Sequence, residues 1–267
     1  MKAKIAGGEI AYDVAGEGEP ILFLHAFPLG LFMWDAQAKA LRDRYRVVRF
    51  DARGFGASPE GDSLLTMERI ADDAAALFDH LGLGRAVVAG CSMGGYAAFA
   101  MVRRHRDRVR ALVLQDTKAG ADSAEARKNR ALLAEKTLKE GAQAAKDAFL
   151  PKLLGETTQQ ERPAVVARVR EAILATSPRG IANALQGLGA RADSTPTLRE
   201  IRVPTLVICG AEDTITPLAE SEAMHGAIAG SRLAVIPKAG HLANLENPAA
   251  YNAALLEFLA GLQPRKR

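Results

Sequence analysis

The stretch Gly90-Cys91-Ser92-Met93-Gly94 carries one hydroxyl between two glycines. The β-branched run Ala86–Gly90 precedes it, and small and apolar residues with helical character follow. A serine on such a strand-to-helix corner takes a strained backbone conformation near φ > 0. A Cβ two positions away on either side would collide with the turn. The corner presents the hydroxyl at a strand end and aims the first N–H groups of a helix at the same space. That arrangement suits a nucleophile. A serine that only capped the helix would need neither glycine.

A serine hydroxyl is a weak nucleophile until a base takes its proton. Five histidines are available. His80, His105 and His225 fall in helical patterns and read as surface residues. His25 reads as a brace for its own loop. His241 lies in the loop Lys238–Pro248, directly after an apolar strand, and is the predicted base. The imidazole in turn needs a carboxylate to fix its tautomer and stabilise its charged form. Asp213 is preferred because it sits deep in the loop Gly210–Pro217, before Thr216-Pro217 opens the next helix. Glu212 stands beside it, and Asp116, at the end of another strand, is the rival. The oxyanion formed on attack needs two backbone N–H donors. Met93 and Phe27 are the candidates, the latter from His25-Ala26-Phe27-Pro28 after the first central strand.

These positions converge only if strands hold their loops. Short apolar runs predict strands at Ile21–His25, Arg46–Phe50, Ala86–Gly90, Ala111–Gln115, Thr205–Cys209 and Arg232–Ile236. The runs are apolar on both faces, the pattern of a parallel sheet covered by helices. Ile5 and Ala11–Val14, around Gly7-Gly8, predict an edge hairpin. Helical spacing marks Met67–Leu81, and Pro248 opens a last helix toward Leu262. The expected class is α/β: a mostly parallel central sheet flanked by helices. Residues 119–195 hold no convincing strand. Helical patterns near 123–137, 139–149, 160–175 and 178–188, punctuated by Pro151, Pro163 and Pro178, predict a helical cap inserted between two strands. The core is then 1–118 together with 196–267.

The chain has 267 residues, 48% apolar and 25% charged, as an ordinary globular protein does. No run approaches the roughly 18 apolar residues of a membrane span. The N-terminus lacks the apolar centre of a signal peptide. A cytoplasmic protein without membrane association is expected. Cys91 and Cys209 sit in apolar runs and read as reduced, buried thiols. The net charge of +4 owes much to the cluster Arg103–Arg110 and the tail Arg265-Lys266-Arg267. With no interleaved aromatics, the cluster reads as a solvated helix end and not a phosphate patch, so no nucleic-acid partner is expected. Neither HExxH nor paired CxxC occurs, and Gly54-Phe55-Gly56-Ala57 lacks the glycine that would complete GxGxxG. No metal or nucleotide cofactor is expected.

The order serine, acid, histidine resembles that of the α/β-hydrolase fold family. His25-Ala26-Phe27-Pro28 looks like the family's His-Gly-x-Pro oxyanion loop, with Ala26 where glycine is usual. Asp51–Ser58 looks like its Asp-x-Arg-Gly-x-Gly-x-Ser segment, and Gly90–Gly95 like its elbow. Gly210–Pro217 and Ala239–Pro248 match its acid and histidine loops, with a usual step of 28 residues from Asp213 to His241. Met33-Trp34 and Leu242 make the chain similar to the branch of 3-oxoadipate enol-lactonase-like proteins and small carboxylesterases. The resemblance implies Ser92 as nucleophile, Asp213 as acid, His241 as base, Phe27 and Met93 as oxyanion donors, Arg53 as a structural brace, and no cofactor. The expected function is hydrolysis of a small-molecule ester or lactone through an acyl-enzyme. Phe27, Trp34, Met93 and the cap would line the substrate pocket. Rival readings on the same triad are a cofactor-free perhydrolase or haloperoxidase, a C–C bond hydrolase and an amidase. A ligand-binding relative without catalysis is the non-enzymatic rival. Monomer and homodimer are both compatible with the sequence.

Overall fold

The apolar runs become one eight-stranded sheet. The computed structural model describes residues 1–61 and 63–262; the tail Arg265-Lys266-Arg267 lies outside the described residues. Strands β1 (Lys2–Ile5) and β2 (Gly8–Ala15) form the predicted edge hairpin. Then come β3 (Glu19–Leu24), β4 (Tyr45–Phe50), β5 (Ala86–Cys91), β6 (Val109–Gln115), β7 (Thr205–Gly210) and β8 (Arg232–Ile236). The spatial order is β1-β2-β4-β3-β5-β6-β7-β8. β2 pairs antiparallel with β4, and every later pair is parallel. β5 and β7 are buried along their whole length, since helices cover both faces of the central strands.

Helix α1 (Asp35–Leu41) follows a short 3-10 turn, α2 (Met67–His80) follows β4, and α3 (Met93–Arg104) follows β5. Thr66 starts α2, its hydroxyl accepting from Arg69 N–H at 3.1 Å. One stripe of α2 (Ile70, Ala74, Leu77, Phe78) is buried, as its spacing predicts. Between β6 and β7 run α4 (Ala124–Glu140), α5 (Ala142–Leu153), α6 (Glu156–Glu161), α7 (Pro163–Ala175) and α8 (Pro178–Gly189), then the short α9 (Thr195–Leu198). After β7 comes α10 (Leu218–Ala227); after β8 come α11 (Ala243–Glu246) and α12 (Pro248–Ala260).

Three local expectations differ. Pro151 does not end its helix; α5 runs through it to Leu153, where the proline sits in the last turn. Helix α6 lies outside the expected helices, because its sequence is polar and only Thr158 is buried. Helix α10 starts at Leu218 with Pro217 as its N-cap, because the Thr216 hydroxyl is engaged by Asp213 at 2.6 Å.

The inserted helices meet the rest of the chain backbone to backbone. A Cβ on Gly54 would stand 2.8 Å from Gly180 Cα, one on Gly187 1.9 Å from Leu65 O, and one on Gly155 2.8 Å from Gly240 N. The Phe149 ring of α5 stands edge-on to Phe27 at 5.1 Å. The insertion therefore lies over the loops that follow β3, β4 and β8.

The basic cluster is an ion-paired helix end. Arg104 binds both oxygens of Asp72 at 2.8 Å, Arg103 meets Glu68 at 3.1 Å, and Arg106 meets Glu200 at 2.8 Å. Such exposed pairs are worth at most about 1 kcal/mol each. Both cysteines are free and buried. Among the described residues, no helix is long and apolar enough to cross a membrane.

Candidate active site

Ser92 links the end of β5 to the start of α3, with φ 52° and ψ −110°. A non-glycine residue in that region costs about 1–3 kcal/mol, so its surroundings must hold it there. They do so through the backbone. Ser92 N–H donates to Gln115 O at 3.0 Å, and Ser92 O accepts from Tyr96 N–H and from the Thr117 hydroxyl, each at 3.0 Å. The glycine requirement is steric. A Cβ on Gly90 would lie 2.1 Å from Gly94 O, and one on Gly94 would lie 2.2 Å from Leu24 O. The Ser92 side chain makes no capping bond to α3, so helix capping does not explain the hydroxyl.

The acid and histidine loops follow neighbouring strands, β7 and β8. The His241 Nδ1–H donates to Asp213 Oδ2 at 2.8 Å, with both side chains buried. Asp213 Oδ2 also accepts the Thr216 hydroxyl at 2.6 Å, while Oδ1 accepts Ile215 N–H at 2.8 Å and Thr216 N–H at 3.1 Å. Four donors thus fix the carboxylate. Burial alone would push its carboxyl up, but His241 and Thr216 override this and hold it below the usual carboxylate range. Burial would likewise lower His241, yet Asp213, with Asp116 and Glu246, raises it above the ordinary 6.5.

Asp116 does not bond the imidazole. It accepts Gly210 N–H at 2.7 Å, the Gln115 amide at 2.9 Å and Ala243 N–H at 3.3 Å, so it ties the start of one loop to the other. Burial and the nearby Asp213 push its carboxyl up to about 8. Glu212 turns away to Thr157. The Cys91 thiol, next to Ser92, reaches His241 O at 3.6 Å, which seats the histidine loop on the serine corner. Burial and three nearby carboxylates push this thiol well up, so it stays protonated.

The two candidate oxyanion donors come from the loop after β3 and the first turn of α3. Phe27 is 4% and Met93 1% exposed, and neither backbone N–H finds an acceptor among the described residues. Buried N–H groups left open in this way are rare. His25 braces the Phe27 loop as expected. Its Nε2 accepts Ala52 N–H at 2.9 Å and its Nδ1–H donates to Ala26 O at 3.0 Å. Burial holds the ring neutral by lowering its pKa. Ala26 adopts no left-handed φ, so its methyl group adds no backbone strain, and its N–H reaches Met33 Sδ at 3.1 Å. Trp34 and Phe27 belong to separate aromatic groups. The Trp34 ring is fully buried against Phe23 at 4.7 Å and Tyr251 at 6.2 Å, whereas Phe27 faces Phe55 and Phe149. Arg53 is a buried brace. It binds Asp73 at 2.7 and 2.8 Å and donates to the Ala6 and Gly7 carbonyls.

A model of the alpha/beta hydrolase fold matches residues 19–248. The chain belongs to the alpha/beta hydrolase family. Among solved hydrolases of known source, it is 42% identical to a thermophilic esterase from Thermogutta terrifontis. That match covers 99% of this chain and 100% of the other, with a TM-score of 0.96. It is 30% identical to a 3-oxoadipate enol-lactonase of Acinetobacter baylyi, over 96% of this chain and 95% of the relative. It is also 34% identical to a non-heme haloperoxidase of Rhodococcus erythropolis, over 95% of this chain and 96% of the relative. The eight-stranded, mostly parallel sheet is that of the hydrolase family.

Proposed function

We propose that this hydrolase cleaves carboxylic esters or lactones of small molecules through a covalent acyl-enzyme. The observation that carries the reading is the buried bond of 2.8 Å between His241 Nδ1 and Asp213 Oδ2, on a loop that touches the residue beside Ser92. Asp213 fixes the tautomer, so His241 Nε2 is the free lone pair. Ser92 Oγ attacks the acyl carbon and gives its proton to that nitrogen. The N–H groups of Phe27 and Met93 hold the oxyanion. The C–O bond then breaks, and His241 returns the proton to the leaving oxygen. In a lactone that oxygen stays tethered to the acyl chain. Water, deprotonated by His241, next attacks the ester on Ser92, releasing the carboxylic acid and restoring the hydroxyl.

The inserted helices within 119–195 act as a cap that excludes water from these steps. An open groove of about 390 Å³ between α4, α5 and the acid loop is lined by Leu133, Phe149, Thr214 and Ile215, with Arg130 and Lys152 at its sides. Its size suits a small acyl group or ring. Phe27, in ring contact with Phe149, and Met93 form the floor of the substrate site. Trp34, packed on Phe23 and Tyr251 in the core, stands apart from that floor.

The test is a screen of p-nitrophenyl esters of increasing acyl length and of lactones of increasing ring size, run beside fluorophosphonate labelling. Turnover with label mapped to Ser92 is the expected result. No turnover and no label in folded protein would make the chain a binding relative. Similarity to a haloperoxidase favours a second use of the same acyl-enzyme, in which hydrogen peroxide replaces water and a peracid leaves. Peroxide-dependent halogenation, assayed on the same preparation, distinguishes it.

The base must be neutral to accept a proton. Because the surrounding carboxylates raise His241 above 6.5, it becomes protonated at a higher pH than a free histidine would. For an uncharged ester, kcat/KM is therefore expected to fall as pH drops, with a midpoint above 6.5. A midpoint below that value would contradict the charge arrangement.

A further inference from the structure

Glu246 lies at the end of α11 and is 0% exposed, an expensive place for a carboxylate. The proton relay does not use it. Its Oε1 accepts Gly240 N–H at 2.9 Å and Leu242 N–H at 3.0 Å, the two amides that flank His241. Its Oε2 accepts Gly155 N–H at 2.8 Å, from the segment that joins α5 to α6. A side chain that merely finished the short helix α11 would account for Leu242 and leave the other two bonds unexplained.

The acid loop makes a matching contact. Glu212, next to Asp213, accepts Thr157 N–H at 2.9 Å and the Thr157 hydroxyl at 2.5 Å. One carboxylate from each loop of the relay therefore grips the start of α6. That helix buries only Thr158, so apolar packing does not account for its position. Gly155 fits without slack. A Cβ there would stand 2.4 Å from Glu212 Oε2 and 2.8 Å from Gly240 N.

We infer that Glu246 is a positioning residue for His241, fixing the backbone on both sides of the imidazole and joining it to the inserted helices in one hydrogen-bonded unit. The inference rests on His241 being the base. Its physical content is geometric. Slack of about 1 Å at a proton-transfer group costs on the order of 100-fold in rate.

Glutamine at 246 separates the two joints, because it keeps one acceptor and replaces the other with a donor. If its oxygen faces Gly240 and Leu242, its NH₂ meets the Gly155 N–H donor to donor. Turned over, it loses the histidine loop instead. The charge changes as well. Asp213, Asp116 and Glu246 are the carboxylates that raise His241, and the adjacent Cys91 thiol stays neutral. Burial raises the carboxyl of Glu246 itself, partly offset first by the Thr158 hydroxyl and then by its N–H donors. Removing its negative charge moves the acid limb of the activity profile to lower pH. A loosened fold alone would not shift the limb in that direction.

The experiment compares wild type, Glu246→Gln and His241→Ala as full-length proteins in p-nitrophenyl acetate hydrolysis from about pH 5 to 9, with thermal melting as the fold control. Folded Glu246→Gln is expected to lose on the order of 100-fold in kcat, with little change in KM and an acid limb displaced downward. Wild-type kcat with an unmoved limb overturns the inference. If Glu246→Gln does not fold, Gly155→Ala decides, because it pushes the same joint apart from the other side. A lower kcat supports the inference, and an unchanged kcat overturns it. An inactive His241→Ala beside an unaffected Glu246→Gln sinks only this inference; an active His241→Ala sinks the base assignment and this inference together.

Discussion

Replacing Ser92 with alanine is expected to lower kcat for ester hydrolysis by on the order of 10⁶, with the melting temperature left in place. The two halves of this expectation have different causes. The rate falls because the attacking oxygen is gone and the neighbouring thiol cannot replace it. Cys91 is adjacent, but its thiol is buried, held protonated and directed at His241 O. The fold survives because the corner is held by backbone bonds and glycine contacts, and the hydroxyl caps nothing. Alanine at φ 52° carries the strain that serine already carries. Steady-state kinetics with a p-nitrophenyl ester, a fluorophosphonate labelling control and a thermal melt check both halves. Near-normal turnover by the alanine variant would remove Ser92 from the mechanism.

Asp213→Asn is expected to cost on the order of 10⁴ in kcat, as it does where the same dyad has been dissected in serine proteases. Hydrogen-bond accounting gives the reason. Ile215 and Thr216 present two backbone N–H groups to Oδ1, so the amide oxygen of asparagine must stay at that position. The amide nitrogen then faces His241 Nδ1, where Oδ2 stood at 2.8 Å. It donates, Nδ1 becomes the acceptor, and the ring proton moves to Nε2. The base then points an N–H at Ser92 and can no longer take its proton. The variant should keep its KM, because nothing that touches substrate has changed. The pH profile of kcat/KM should flatten on its acid side. Loss of activity through KM alone would place Asp213 outside the relay.

The elements that position these groups were legible because their signals are local. The β5 run, the glycines around Ser92 and the strand-terminal positions of Asp213 and His241 follow from strand-and-turn chemistry within a few residues. The choice between Asp213 and Asp116 was not local. Asp213 is preferred for its depth in the loop after β7, but Asp116 also follows a buried strand, and the bond to the His241 imidazole is a matter of tertiary placement. Its Nδ1 meets Asp213, while Asp116 meets Gly210 and Ala243. The Thr-Pro pair predicts a helix cap at Thr216, whereas its bond to Asp213 needs the loop to fold back on itself. Helix α6 escaped because its stability comes from carboxylates distant in sequence, and a polar hexapeptide has no period to read. Glu246 carried no sequence signal beyond lying five residues after His241. Its role appears only once Gly155, 91 positions earlier, is brought against it.

The glycine joints between the inserted helices and the sheet loops bear on how such a protein can change. Where two backbones touch at Gly54 and Gly180, at Gly187 and Leu65, and at Gly155 and Gly240, at least one partner has no side chain to vary. The side chains of α4 and α5 that line the groove are of another kind: Leu133 and Phe149 have side chains that can vary, and Phe149 packs ring to ring on Phe27. Selection or engineering can therefore remodel the inner surface of those helices while the joints that hold them over the sheet loops stay fixed.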